Sequence, residues 1–199
     1  MQSNQRPYHH GNLRAALLSA AETALEAHGV AALSLRELSR AVGVSHASPR
    51  RHFSDKQALL DALALTGFQR LDAMLAQGAK GRARDLNARI VRVAQAYVEF
   101  VLQHPAMWAL MFAAKHRAGA PPDLLAASDA AYSHLPAILR AGQETGEIVA
   151  GDPARLSLTL NAALQGLVSI STEGKFKGVP LETLVPAIVK QVLLGLRPR

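Results

Sequence analysis

The 199 residues suit one domain, or a small domain joined to a larger one, and an apolar share of 49% is enough to bury a sizeable core. Lys and Arg outnumber Asp and Glu by 22 to 15, a balance of +7 that favours polyanions, nucleic acid above all, or an anionic membrane surface. The absence of cysteine excludes disulfides, Cys-ligated metals and thiol chemistry. No secretory h-region and no apolar run of about 18 residues occurs, so the expected setting is soluble and cytoplasmic, with no membrane partner.

Ala- and Leu-rich periodicity, with little period-2 alternation, predicts an all-α chain of about nine helices. Asn12 caps the first, whose stripe is Leu13, Leu17, Ala21, Ala24 and Leu25, and Gly29 ends it. Ser34 caps the second, with Glu37 completing a capping box and Leu33 and Leu38 forming its hydrophobic staple. The chain turns at Gly43. Ser45 caps a third helix containing Pro49, and Ser54, with Gln57 in the box position, caps a fourth running through Phe68 and Met74 to about Gln77. "GAKGRARD", Gly78 to Asp85, reads as a loop. Helices follow over about 87–103, from Pro105, over about 123–145 with a kink expected at Pro136, and over about 153–172 and 180–196, the first of these last two capped by Asp152.

The second and third helices, joined at "VGV" with small Ser39 at their crossing and Leu38, Val42 and Val44 between them, have the spacing of a DNA-binding helix-turn-helix. An ordinary αα-hairpin has the same spacing, so composition must decide. At about 100° per residue, Pro49 and Phe53 face the core while Ala47, Ser48 and Arg51 face outward, with Arg50 and His52 on the flanks. Between residues 36 and 56, Arg36, Arg40, Arg50, Arg51 and Lys56 oppose only Glu37 and Asp55. That bias suits a phosphate surface, and an outward arginine suits guanine in the major groove. Pro49, fourth in its helix, forfeits only a bond to the Ser45 carbonyl at the helix edge. His46 and His52 read equally as phosphate contacts and as plain surface residues. Arg6, His9 and His10 form either a DNA-reaching arm or a disordered terminus. No metal site is expected, because HExxH is absent and His104, His116 and His134 fall in different elements.

Leu13 to Leu60, and within it "LSLRELSRAVGVSHASPRRHFSDKQALL" from Leu33 to Leu60, resembles the N-terminal domain of the tetracycline-repressor (TetR) family of bacterial transcription regulators. The register matches through Ser34, Glu37, Leu38, Gly43, Val44, Ser45, His52, Phe53, Lys56 and Leu59. The resemblance implies a DNA-binding domain over 1–60 and an effector-binding, dimerising domain over 61–199. By position it implies phosphate contacts at Ser34, Arg50, His52 and Lys56, and base-facing positions at Ala47, Ser48 and Arg51; Ser45 and His46 complete the candidate DNA-binding set. Arg50 stands where the family usually has a phosphate-contacting tyrosine. "YHHGNLR" together with "PAMWALMF" resembles the branch named for a C-terminal Trp-His-Gly signature, although Asn161 and Gln165-Gly166 stand at those places here.

In the C-terminal part, Phe68, Met74, Tyr97, Phe100, Trp108, Met111, Phe112 and Tyr132, with His104, Asn161 and Gln165 for polarity, read either as the lining of an effector pocket or as core. The last two helices are apolar on more than one side, through Leu156, Leu160, Leu164, Leu167, Val168 and Ile170, then Leu184, Ile188, Val189, Val192 and Leu193. One side suits the core and the other a second copy of the chain, with Gly166 allowing close approach. No nucleophile-base pair or carboxylate pair points to an enzyme, and no cofactor is expected. The expected function is a ligand-responsive repressor binding an inverted repeat as a homodimer. The alternatives are an activator or an architectural DNA-binding protein without an effector. An effector beside the later turns of the fourth helix is expected to tilt it as a lever on the recognition helix.

Overall fold

One long helix organises the molecule. The computed structural model describes residues 13–81, 86–172 and 180–198. Among these, eight α-helices occur and no strand: α1 Leu13–His28, α2 Leu35–Val42, α3 Lys56–Ala79, α4 Leu86–Gln103, α5 Pro105–Lys115, α6 Pro122–Glu144, α7 Pro153–Thr172 and α8 Leu181–Leu196. The all-α expectation holds. Asn12, Arg6, His9 and His10 lie outside the described residues, as does part of the loop expected before α4.

The ninth expected helix is a correction. The segment after Ser45 is a tight turn followed by a single 3-10 turn, Pro49–Arg51. Pro49 has no N–H to give, and the Ser48 N–H takes the Ser45 carbonyl at 3.0 Å, three residues back rather than four. The Ser45 and Ser48 hydroxyls also bond each other at 2.7 Å, so Ser45 fastens a turn instead of capping an α-helix.

Two caps also differ from expectation. Asp55, not Ser54, caps α3, its carboxylate accepting the Ala58 N–H at 2.8 Å. Gln57 does not reach back; its amide donates to Asp61 at 2.9 Å. Ser34 does hold the N-cap of α2 in extended geometry, but its hydroxyl makes no capping bond. The staple residues Leu33 and Leu38 are both buried. Asp152 accepts the Ala154 N–H at 2.9 Å at the start of α7, and Pro136 lies within the uninterrupted α6.

α3 packs on α1, α4, α5 and α6. Its Leu59, Leu63, Phe68 and Leu71 are fully buried with Ile90 and Phe100 of α4 and Met107 and Met111 of α5. Gly67 sets the α3–α5 approach: a Cβ there would lie 2.6 Å from the Met111 sulfur. α8 packs on α4 and α7, and the Val149 N–H donates to the Leu196 carbonyl at 2.8 Å, fastening the α6–α7 turn to the end of α8. Among the described residues no helix is long and apolar enough to cross a membrane.

Candidate DNA-binding surface and ligand cavity

The head of the molecule is built on α1, α2 and the turn that follows. Gly43 sits at φ 76°, the left-handed geometry that ends α2, and the Val44 N–H returns to the Ser39 carbonyl at 2.9 Å. Ser39 is fully buried and its hydroxyl donates to the Leu35 carbonyl at 2.7 Å, so this polar group is satisfied at the crossing. Pro49 and Phe53 anchor the next segment in the core, and the Phe53 N–H donates to the Pro49 carbonyl at 2.9 Å.

Those anchors leave His46, Ala47, Arg50, Arg51 and His52 exposed and Ser34, Ser48 and Lys56 half-buried. Ser45 is exposed beside them. Lys56 leans back on the first turn of the head, its ammonium 3.4 Å from the Ala31 carbonyl. Arg36 and Arg40 are exposed as well, and none of Arg36, Arg40, Arg50 and Arg51 takes part in the ion pairs among the described residues. Exposed cations outside those ion pairs, on α2 and the turn after it, suit a phosphate backbone. Arg14 is a further exposed cation of the head, its guanidinium 5.5 Å from the Phe53 ring centroid. Sequence spacing carries no signal for that contact, because residues 14 and 53 meet only through the fold.

A cavity of about 570 Å³ lies between α4, α5 and α7. Tyr97, Val101 and Leu102 form one wall, Pro105, Trp108 and Phe112 a second, and Gln165, Val168 and Ser169 a third. Trp108 meets Tyr97 edge to face at 5.3 Å and Phe112 at 6.3 Å. A small void of about 20 Å³ lies behind Tyr97, lined by Tyr132, Asn161 and apolar neighbours that include Leu75 of α3. Of the expected effector residues, Tyr97, Trp108, Phe112, Gln165, Tyr132 and Asn161 are thus brought together. Phe68, Phe100 and Met111 are fully buried in the core and line neither space. Met74 packs against that core, and His104 stands before α5 with its ring 5.3 Å from that of Phe100. Val101, Leu102, Pro105, Val168 and Ser169 are lining residues that the sequence reading misses. Helical spacing offered most of them: Val101 is four residues from Tyr97, Pro105 three from Trp108, and Ser169 four from Gln165.

The electrostatics of this region follow from burial. Desolvation pushes the Tyr97 phenol far above its ordinary value, with Tyr132 adding to the rise; the nearby Gln165 carboxamide opposes it without reaching hydrogen-bond geometry. Burial pushes the Tyr132 phenol up to about 12. Lys115 is lowered by burial, with Asp129 opposing, and its ammonium sits 4.4 Å from the Tyr132 ring centroid.

Three polar connections run among α1, α3 and the ends of α5. Glu26 of α1 accepts the N–H groups of Ala106 and Met107 at the start of α5, at 3.3 and 3.1 Å. Glu22 of α1 and Arg70 of α3 form a two-pronged ion pair at 2.6 and 3.0 Å. Asp61 of α3 pairs with Arg117, after α5, at 2.8 Å.

Residues 17–63 match the family described as bacterial regulatory proteins of the tetR family. Residues 90–191 match the tetracyclin repressor-like C-terminal domain. Among solved structures, the chain is similar to a protein of unknown function from Rhodococcus sp. RHA1, at 41% identity over 98% of this chain and 100% of that one, with a TM-score of 0.89. It shares the fold of the TetR family transcriptional regulator PfmR from Thermus thermophilus, at 22% identity over 92% and 99% of the two chains and a TM-score of 0.68. A TetR family regulator from Marinobacter aquaeolei VT8 has the same fold, at 21% identity over 94% and 96% and a TM-score of 0.72. A search of curated proteins gave no match. The second matched region alone spans half of the chain, and with the charged head in front of it the conclusion is plain: this chain is a DNA-binding transcriptional regulator of the TetR family.

Proposed function

We propose that the protein is a ligand-responsive repressor that binds an inverted-repeat operator as a homodimer, with residues 1–60 reading DNA and 61–199 binding effector and partner. One observation carries this reading: a cavity of about 570 Å³, within the size range of small-molecule sites, has a wall on the same helix whose start is gripped by the DNA-binding head. An architectural DNA-binding protein has no use for such a space. The coupling runs through α5 and α1 more directly than through the expected lever, because Phe68 and Leu71 of α3 are sealed in the core and only Leu75 touches the inner void.

The dimer reading rests on α7 and α8. Leu160, Leu164, Leu167, Val189 and Leu193 cover their own chain, while Leu158, Ile170 and Leu194 remain exposed on the other sides. A Cβ at Gly166 or Gly195 would meet nothing within 4 Å, which leaves room for a second copy. Two heads related by a dyad would meet successive major grooves about 34–36 Å apart, or somewhat more on bent DNA.

The test is selection of bound sequences from random DNA, followed by a reporter carrying the selected site. The expected result is an inverted repeat, a dimer in light scattering, and transcription that falls when the protein is present. Sequence-independent binding would favour the architectural alternative, and rising transcription an activator.

A further inference from the structure

We propose that the cavity takes an uncharged, flat, largely aromatic molecule carrying one hydrogen-bonding oxygen, and that the Tyr97 hydroxyl is the group that recognises that oxygen. This rests on the ligand-responsive reading above and adds the chemical class of the ligand.

The walls disfavour charge first. None of the side chains lining the cavity is ionisable at neutral pH, so neither a carboxylate nor an ammonium finds a counter-ion there. Burying an unpaired charge in such surroundings is far more costly than burying a neutral group. Lys115, which neighbours the cavity-lining Phe112, is turned to the rings of Phe112 and Tyr132, at 5.3 and 4.4 Å.

Shape comes second. Tyr97, Trp108 and Phe112 offer aromatic surfaces from two helices, and edge-to-face and offset packing against them rewards a planar ring. The volume exceeds that of a single ring and suits two or three.

The polar handle is the third and most specific observation. Tyr97 lines both the cavity and the small void, its residue is 7% exposed, and its hydroxyl, buried beside the Gln165 carboxamide, makes no hydrogen bond among the described residues. The Tyr132 hydroxyl, lining the same void, has none either. Buried hydroxyls are nearly always satisfied, so an orphan on the wall of a cavity points to a ligand atom or a water that supplies the missing bond. A void of about 20 Å³ has room for about one water, which can serve Tyr132 and leave Tyr97 to the ligand. A tyrosine phenol is protonated at neutral pH and burial raises this one further, so it is available as a donor.

Three probes of one shape separate these features: 4-phenylphenol, biphenyl and biphenyl-4-carboxylate. Trp108, the single tryptophan of the chain, lines the cavity and reports binding by its fluorescence, with calorimetry as a second readout. The expected order is 4-phenylphenol above biphenyl, with the carboxylate at least about tenfold weaker than the phenol. Tyr97→Phe keeps the ring and deletes the hydroxyl. It should weaken 4-phenylphenol about tenfold and leave biphenyl unchanged, with the thermal midpoint confirming that the variant folds. Preference for the carboxylate, equal phenol affinity in wild type and Tyr97→Phe, or no binding by any of the three overturns the inference. DNA binding by the same preparations is scored separately. A protein that selects an inverted repeat yet prefers the anion remains a regulator with a different ligand; one that binds the phenol but no DNA fails as a regulator while keeping its ligand class.

Discussion

The Glu26 carboxylate, on the first helix of the head, accepts the Met107 N–H at 3.1 Å and so caps a helix in the other half of the chain. α5 starts at Pro105, which has no N–H, and its next two donors both end on this one carboxylate. A capping side chain ordinarily comes from the residue just before the helix; His104, which holds that place, makes no such bond. Removing the Glu26 carboxylate should loosen the cap and the coupling together. Glu26→Ala is expected to cost about 0.5–2 kcal/mol in denaturant unfolding and to weaken ligand-driven release of DNA while leaving ligand affinity little changed. Unaltered release in a destabilised variant would show that the cap is structural only.

The two neighbouring arginines of the head should behave differently. Arg51→Ala is expected to lose about 1–3 kcal/mol on the selected site and to relax preference at one base. Arg50→Ala should weaken binding on every sequence and lower the salt slope by about 1. The same shift in sequence preference for both would mean that they share one role. The 3-10 geometry of this segment makes the comparison pointed, because its residues advance faster around the axis than in an α-helix.

Capping of α3 gives a stability comparison between adjacent residues. Asp55→Ala is expected to cost about 0.5–2 kcal/mol, since it removes the acceptor of the Ala58 N–H. Ser54→Ala should change stability by less than about 0.5 kcal/mol. Urea midpoints of the two variants decide it, and a larger loss at Ser54 would return the cap to that residue.

The ion pair of Glu22 and Arg70 predicts a direction with pH. The bond from Arg70 holds the Glu22 carboxyl below its ordinary value of 4.5, against the opposing effect of burial. The pair therefore stabilises the folded chain at neutral pH, and that contribution fades as pH falls from about the ordinary carboxylate value through the lowered one. Half-exposed Arg70 limits its size by solvent screening. The stability gap between wild type and Glu22→Gln should be widest near neutrality and shrink in acid; a gap that grows on acidification contradicts the pairing.

Most of the helices are legible in the sequence because periodicity and punctuation agree over long stretches: α7 begins and ends where Pro153 and Thr172 suggest. The recognition segment misleads for a physical reason. Its outward and inward residues follow a helical alternation, but Pro49 and two serines that satisfy each other favour tighter turns, and spacing alone does not distinguish those. In the cavity, the aromatic residues stand out in the sequence, whereas which of them face open space depends on how α4, α5 and α7 meet. Phe68 and Met111 look no different in sequence from Trp108, yet the closeness of α3 and α5 at Gly67 seals them inside. Glu26 and Arg14 carry no local signal at all, since their partners lie far along the chain.

α3 runs unbroken across residues 60 and 61, where a division of the chain by function would fall. Leu60 on one side of that point is buried, and Asp61 on the other holds Arg117 and receives Gln57. A fragment ending at residue 60 would keep less than two turns of α3, strand Glu22 without Arg70 and Glu26 without its helix, and open the core around Leu59 to water. Such a fragment should be largely unfolded by circular dichroism; a cooperative melt would argue against it. Heads and bodies of this protein are then not interchangeable parts. A hybrid regulator that borrows its DNA-reading half would have to import α3 and the α1–α5 grip along with it, or rebuild both at the seam.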